Sequence, residues 1–183
     1  MKFKITSLFI VILLCVSCGS SKTNATPEQI KKLDALVANQ SFQIESDWAY
    51  PQATMAMVAI QNAGILPPGD NASRINLHGN PNELVLKGEK VSSKLPYYGE
   101  VQMPSGYNGS DNGSISFEGT VEDYTVVQND NHSYKISFKA MSNNENFNVS
   151  IVLYPNLKSD ILLQGSKRFP IRYIGKVKPF TTE

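Results

Sequence analysis

The sequence predicts an all-β fold: an antiparallel sandwich or small barrel of about 8–10 short strands, preceded by one amphipathic helix. Three observations predict it. Apolar residues alternate with polar ones through most of the chain after Ser41, the period of a half-buried strand. Turn-forming clusters of Gly, Asn, Asp and Pro interrupt these runs at regular short spacing. Asn, Ser, Gly and Tyr are plentiful and Ala is modest, a composition that leans toward strands and turns.

The chain opens with a secretory signal. Met1-Lys2-Phe3-Lys4 is short and basic, an apolar run follows from Ile5 to Val16, and Ser17-Cys18-Gly19 supplies small residues at a cut site. The run is too short to span a bilayer, which needs roughly 20 apolar residues. A small residue before Cys18 and Gly after it form a lipobox, so residues 1–17 are expected to be cleaved and Cys18 to carry lipid. Cys15 stands where that pattern prefers Leu, and it is itself a poor acceptor behind the bulky Leu14. An ordinary cleaved signal with an incidental cysteine is the competing reading. Both cysteines of the chain lie here. The mature domain therefore has no disulfide to lean on and no cysteine-based metal or redox site.

Residues 18–25 form the lipidated start and a small, polar tether, and residues 26–183 form a single domain. Thr26-Pro27-Glu28-Gln29 reads as a capping box with Pro at the first helical position. Ile30, Leu33, Leu36 and Val37 share one face of the helix that follows, which runs to about Asn39. Packing on the domain is preferred to partner binding for that face. From Ser41 the period becomes two. Ala53 to Ala63 is ambiguous between helix and strand, and Leu66-Pro67-Pro68-Gly69-Asp70 is a turn. Strands are expected at Arg74–Leu77, Glu83–Lys87, Val91–Leu95, Ser114–Glu118, Val121–Gln128, Ser133–Ala140, Phe147–Tyr154, Asp160–Gln164 and Phe169–Ile174. The stretch from Ser114 to Ile174 reads as a meander, and Pro96 to Gly113 as the longest loop.

Several stretches occur together in a familiar order: Phe42-Gln43-Ile44-Glu45-Ser46-Asp47-Trp48-Ala49-Tyr50-Pro51, Leu66-Pro67-Pro68-Gly69, Arg74-Ile75-Asn76-Leu77, Leu95-Pro96-Tyr97-Tyr98-Gly99, Ser116-Phe117-Glu118-Gly119, Glu122-Asp123-Tyr124, and Arg168 with Ile171-Arg172-Tyr173-Ile174-Gly175. Across nearly all the mature chain this resembles the Bacteroidota lipoprotein family called domain of unknown function 4251. The resemblance implies an all-β fold and assigns no activity. Leu157 departs from it, because Gly is expected after the Tyr154-Pro155-Asn156 turn.

No motif points to a cofactor. Net charge is +1, and slightly negative without Lys2 and Lys4, so no basic stripe supports nucleic-acid binding. His78 and His132 lack partners at metal or triad spacing. Gly106 to Gly113 lacks the Lys and the strand–helix setting of a phosphate loop. Glu45 and Asp47 would share a face of one strand and could serve acid–base glycoside chemistry, with Trp48 and Tyr50 stacking on a sugar. The plain alternative is an exposed strand end with Trp48 as a packing anchor. Tyr97, Tyr98 and Tyr107 suit either a recognition surface or a plug over a sheet end.

Asp47–Pro51 and Leu95–Gly99 both read as strand ends turning at a proline among aromatics. Trp48, Tyr50, Tyr97 and Tyr98 are accordingly expected to gather at one rim, as a plug or as a ligand platform. The functional expectation is an envelope lipoprotein, non-enzymatic, binding a partner protein or glycan or serving a structural role; the rival is a glycan hydrolase using Glu45 or Asp47. With no acidic cluster after Cys18, the domain is expected at the outer membrane, facing the periplasm.

Overall fold

The protein is seen in a computed structural model that describes residues 25–102, 113–142 and 145–180. Cys15, Cys18, the first part of the tether and Tyr107 lie outside those residues. Helix α1 (Pro27–Ala38) starts as the capping box requires: Gln29 N donates to Thr26 Oγ1 at 3.3 Å and Thr26 N donates to Gln29 Oε1 at 3.0 Å. Its Leu33, Leu36 and Val37 are buried in the core. Strand β1 (Ser41–Pro51) follows. The ambiguous apolar stretch is a short helix, α2 (Met55–Asn62), capped by Thr54. The remaining strands are β2 (Ile75–Asn76), β3 (Glu83–Lys87), β4 (Lys90–Pro96), β5 (Ser114–Thr120), β6 (Glu122–Gln128), β7 (Tyr134–Met141), β8 (Asn146–Leu153), β9 (Lys158–Gly165) and β10 (Ile171–Pro179).

All the described strands join one antiparallel sheet in the order β5-β4-β3-β1-β10-β9-β8-β7-β6, with β2 added against β1. The sheet curls into a nearly closed barrel, and its inner face is filled by side chains such as Phe42, Ile44, Leu84, Leu95, Ile136, Ile151, Ile161 and Tyr173. The meander begins one strand later than the sequence suggests. β5 pairs with β4, not with β6, although only Val121 separates β5 from β6. β5 instead closes the barrel by lying alongside β7. A period-two pattern reports which side chains face inward, but it is blind to where a sheet ends, so the seam carries no sequence signal.

Strand direction gives the barrel two distinct ends. The α1–β1 junction and the β3–β4, β6–β7 and β8–β9 turns share one end, while β5 and β6 run in the same direction on either side of Val121. Helix α1 is fixed there by its apolar face and by Tyr134, whose hydroxyl donates to Asp34 Oδ1 at 2.8 Å. The excursion carrying α2, the β4–β5 loop, and the β7–β8 and β9–β10 connections share the other.

β1 does not stop at Asp47. It continues to Pro51 through a bulge between Ser46 and Trp48. Two residues accommodate the bulge. A Cβ on Gly175, the residue opposite Ser46, would lie 2.0 Å from Glu45 O, so only glycine fits. On the other flank Asn82 stands in for a strand: its Oδ1 accepts from Ser46 N at 2.8 Å and its Nδ2 donates to Ser46 O at 3.0 Å.

Candidate functional site

Alternation and register together place the outward side chains of six strands in transverse rows. One row runs Trp48, Ile174, Asp160, Val152, Lys135, Val127; the next runs Tyr50, Arg172, Leu162, Ser150, Ser137, Thr125. Beyond it lie Gln164, Asn148 and Lys139. A depression of about 440 Å³ opens over the centre of this wall, with Leu162 in its lining.

Trp48 is half-buried on this outer wall rather than sunk as an anchor in the core; the inward side chain beside it is the fully buried Ala49. The Arg74 guanidinium lies 4.7 Å from the centre of the Trp48 ring, and the His78 ring meets it edge-on at 6.1 Å. His78 Nδ1 is 2.7 Å from Asn76 Oδ1, and Nε2 is 3.4 Å from Asp47 Oδ1. The excursion between β1 and β2 brings these groups back to Trp48, since β2 pairs with Trp48 and Ala49. Sequence spacing alone does not show that return.

The bulge separates the two carboxylates. Glu45 turns toward β10, where Lys178 Nζ donates to it at 3.2 Å, and Asp47 turns toward His78 on the opposite side of β1. Among the described residues no group of three or more His, Cys, Asp or Glu side chains comes together to hold a metal.

The expected aromatic quartet divides into two pairs. Trp48 and Tyr50 belong to the outer wall. Tyr97 is buried and Tyr98 half-buried at the distal rim, and no ring contact joins the two pairs among the described residues. The segment Leu95–Gly99 does leave its strand at Pro96, as a proline at the end of a ladder should.

The sequence profile of the domain of unknown function DUF4251 matches residues 24–177. The chain belongs to the DUF4251 family. Among solved structures it is similar to the crystal structure of a DUF4251 family protein from Bacteroides eggerthii DSM 20697, with a TM-score of 0.56, 11% identity, and coverage of 83% of this chain and 88% of that one. At that identity the likeness is one of fold. No curated protein matches.

In this DUF4251 protein two of the segments that carry the family resemblance, Leu95–Gly99 and Arg168 with Ile171–Gly175, meet at the distal rim. The Tyr97 hydroxyl is 3.0 Å from Glu100 O and 3.1 Å from Phe169 O, and burial pushes its pKa up. A Cβ on Gly99 would come within 2.7 Å of that hydroxyl. The fully buried Tyr173 donates to Pro96 O at 2.8 Å. Arg168 lies over the Tyr97 ring at 4.8 Å and pairs with Glu145, Nε to Oε2 at 2.9 Å and Nη2 to Oε2 at 2.8 Å. Glu145 Oε1 accepts from Lys167 N at 3.0 Å.

Both side chains of the Glu145–Arg168 pair are almost fully buried, at 3% and 5% exposure. The rim is therefore a latch of polar groups satisfied internally, tying Tyr97, just after β4, to the β9–β10 connection. Sequence reasoning missed Glu145 altogether. It follows an Asn-rich turn, where a carboxylate reads as solvated, and its partner is 23 residues away.

Proposed function

We propose that the protein is a lipid-anchored lipoprotein of the bacterial envelope, held through Cys18 at the outer membrane and facing the periplasm, and that its barrel is a non-enzymatic binding module. The observation that carries this reading is the polarity of the barrel. The chain enters through α1 at one end, so a tether on Cys18 attaches that end to the bilayer. Trp48 and Tyr50 lie toward the far end of β1, and Arg74 and His78 gather around Trp48 on the outer wall. Anchor and surface are thus separated along the molecule, as a module that holds something away from its own membrane requires. Glu45 and Asp47 facing opposite neighbours supports binding over hydrolysis.

Cells fed radioactive fatty acid should label the wild type and not Cys18→Ala, and protease added to intact cells should spare the domain. Equal label on both proteins removes the anchor from this reading, and rapid digestion removes the periplasmic placement.

A further inference from the structure

Leu162 is an anomaly of the outer wall. It lies on β9, a strand flanked on both sides, yet it remains 46% exposed. Around it stand Ser150 and Ser137 in its own row, and Gln164 and Asn148 in the next. None of these four side chains forms a hydrogen bond with any described residue. The neighbouring charges are largely matched: Lys139 is held by Asp123 at 2.6 Å and Arg172 by Asp160, so that among the described residues Lys135 is the unmatched cation lining the depression.

We propose that this depression is a saccharide-binding site. An apolar floor ringed by unengaged amides and hydroxyls, with little net charge, matches a pyranose, which offers an apolar C–H face and a rim of hydroxyls. Each Asn or Gln amide supplies two donors and an acceptor, and each Ser hydroxyl supplies both roles. The volume of about 440 Å³ lies within the range of small-ligand sites. A protein partner would need a broader apolar centre than one leucine. Tyr50 shares the row of Leu162 two strands away, about 10 Å at sheet spacing. An oligosaccharide running across the strands therefore reaches Tyr50, and Trp48 in the adjoining row.

This inference rests on the binding-module reading and names its ligand class; it is independent of the anchor. Every described element of the fold lies between Pro27 and Pro179, so a chain beginning at residue 18 with Cys18→Ser retains them all. That protein, isotopically labelled, is titrated with maltotetraose, cellotetraose and chitotetraose while its amide resonances are followed. At least one probe should shift the amides of Ser137, Asn148, Ser150 and Leu162. The paired substitution Asn148→Ala with Gln164→Ala should then weaken binding at least tenfold with unchanged thermal melting.

No shift with any of the three probes in the millimolar range overturns the proposal. So do shifts confined to another face, or unchanged affinity in the paired variant. A captured protein partner alongside silent saccharides would leave the binding module standing without this site, and the fatty-acid label judges the anchor by itself.

Discussion

Replacing Glu145 by Gln tests the latch at the distal rim. Glu145 and Arg168 expose 3% and 5% of their side chains, and the carboxylate accepts from Arg168 Nε and Nη2 and from Lys167 N. Gln preserves the volume but removes the charge, so the buried guanidinium loses the Glu145 charge and one carboxylate oxygen becomes an amide donor. Removing one partner of a buried pair costs about 3–5 kcal/mol, because the remaining charge stays desolvated. For a domain of this length that corresponds to a fall in Tm of about 6–20 °C. Urea unfolding followed by circular dichroism gives the magnitude. The double substitution Glu145→Leu with Arg168→Met should recover much of the loss, since neither buried charge remains. A loss below about 1 kcal/mol for Glu145→Gln would refute the reasoning, and would mean that water reaches the pair.

Gly175→Ala should destabilise by about 1–3 kcal/mol or fail to fold, because its Cβ would lie 2.0 Å from Glu45 O at the bulge of β1; a neutral effect in a denaturant melt would mean that the bulge is not rigid. Burial raises the pKa of Tyr97, Tyr124 and Tyr173, and burial with the Asp34 hydrogen bond raises that of Tyr134 to about 12. A raised folded-state value means that the unfolded chain gives up these protons first. The stability they contribute is complete below the ordinary tyrosine value of 10.0 and is lost as pH rises through the folded values, so stability should fall from pH 10 upward, and Tyr134→Phe should flatten that fall. Trp48→Ala, at a half-buried outer-wall position, should cost about 1–2 kcal/mol in a urea melt, below the 3–5 of a core aromatic. Leu157 has φ of 61°, so Leu157→Gly should be more stable than Leu157→Ala, reversing the usual order; the opposite ranking in a thermal melt would show that the turn relaxes.

Much of the fold is legible in the sequence because one face of nearly every strand is buried. Phe42, Ile44 and Ser46 alternate with Gln43 and Glu45, and the structure buries the first set. The capping box at Thr26 and the turns at Asn129 and Pro155 are local, so a few neighbouring residues decide them. The departure at Leu157 is legible in the same way. The family resemblance implies Gly there, and the structure supplies the reason: a left-handed residue whose N–H closes the turn onto Tyr154 O at 2.8 Å. Leu accepts that backbone strain while packing its side chain against the core.

The outer wall is much less legible, and the reason is register. Alternation states that Ser137, Ser150, Leu162, Arg172 and Tyr50 all face outward, but any of them could stand beside any other until each strand pair is aligned. A slide of two residues keeps every side chain on its face while replacing every neighbour in the row. Two structural particulars set that alignment between β1 and β10: the extra residue at Asp47, and the glycine opposite Ser46 that lets the strands close up. Without the bulge, the alternation that turns Ser46 inward would turn Trp48 inward with it. Trp48 instead faces outward and Ala49 inward, and Asp47 meets His78. One inserted residue thus puts an aromatic on the wall.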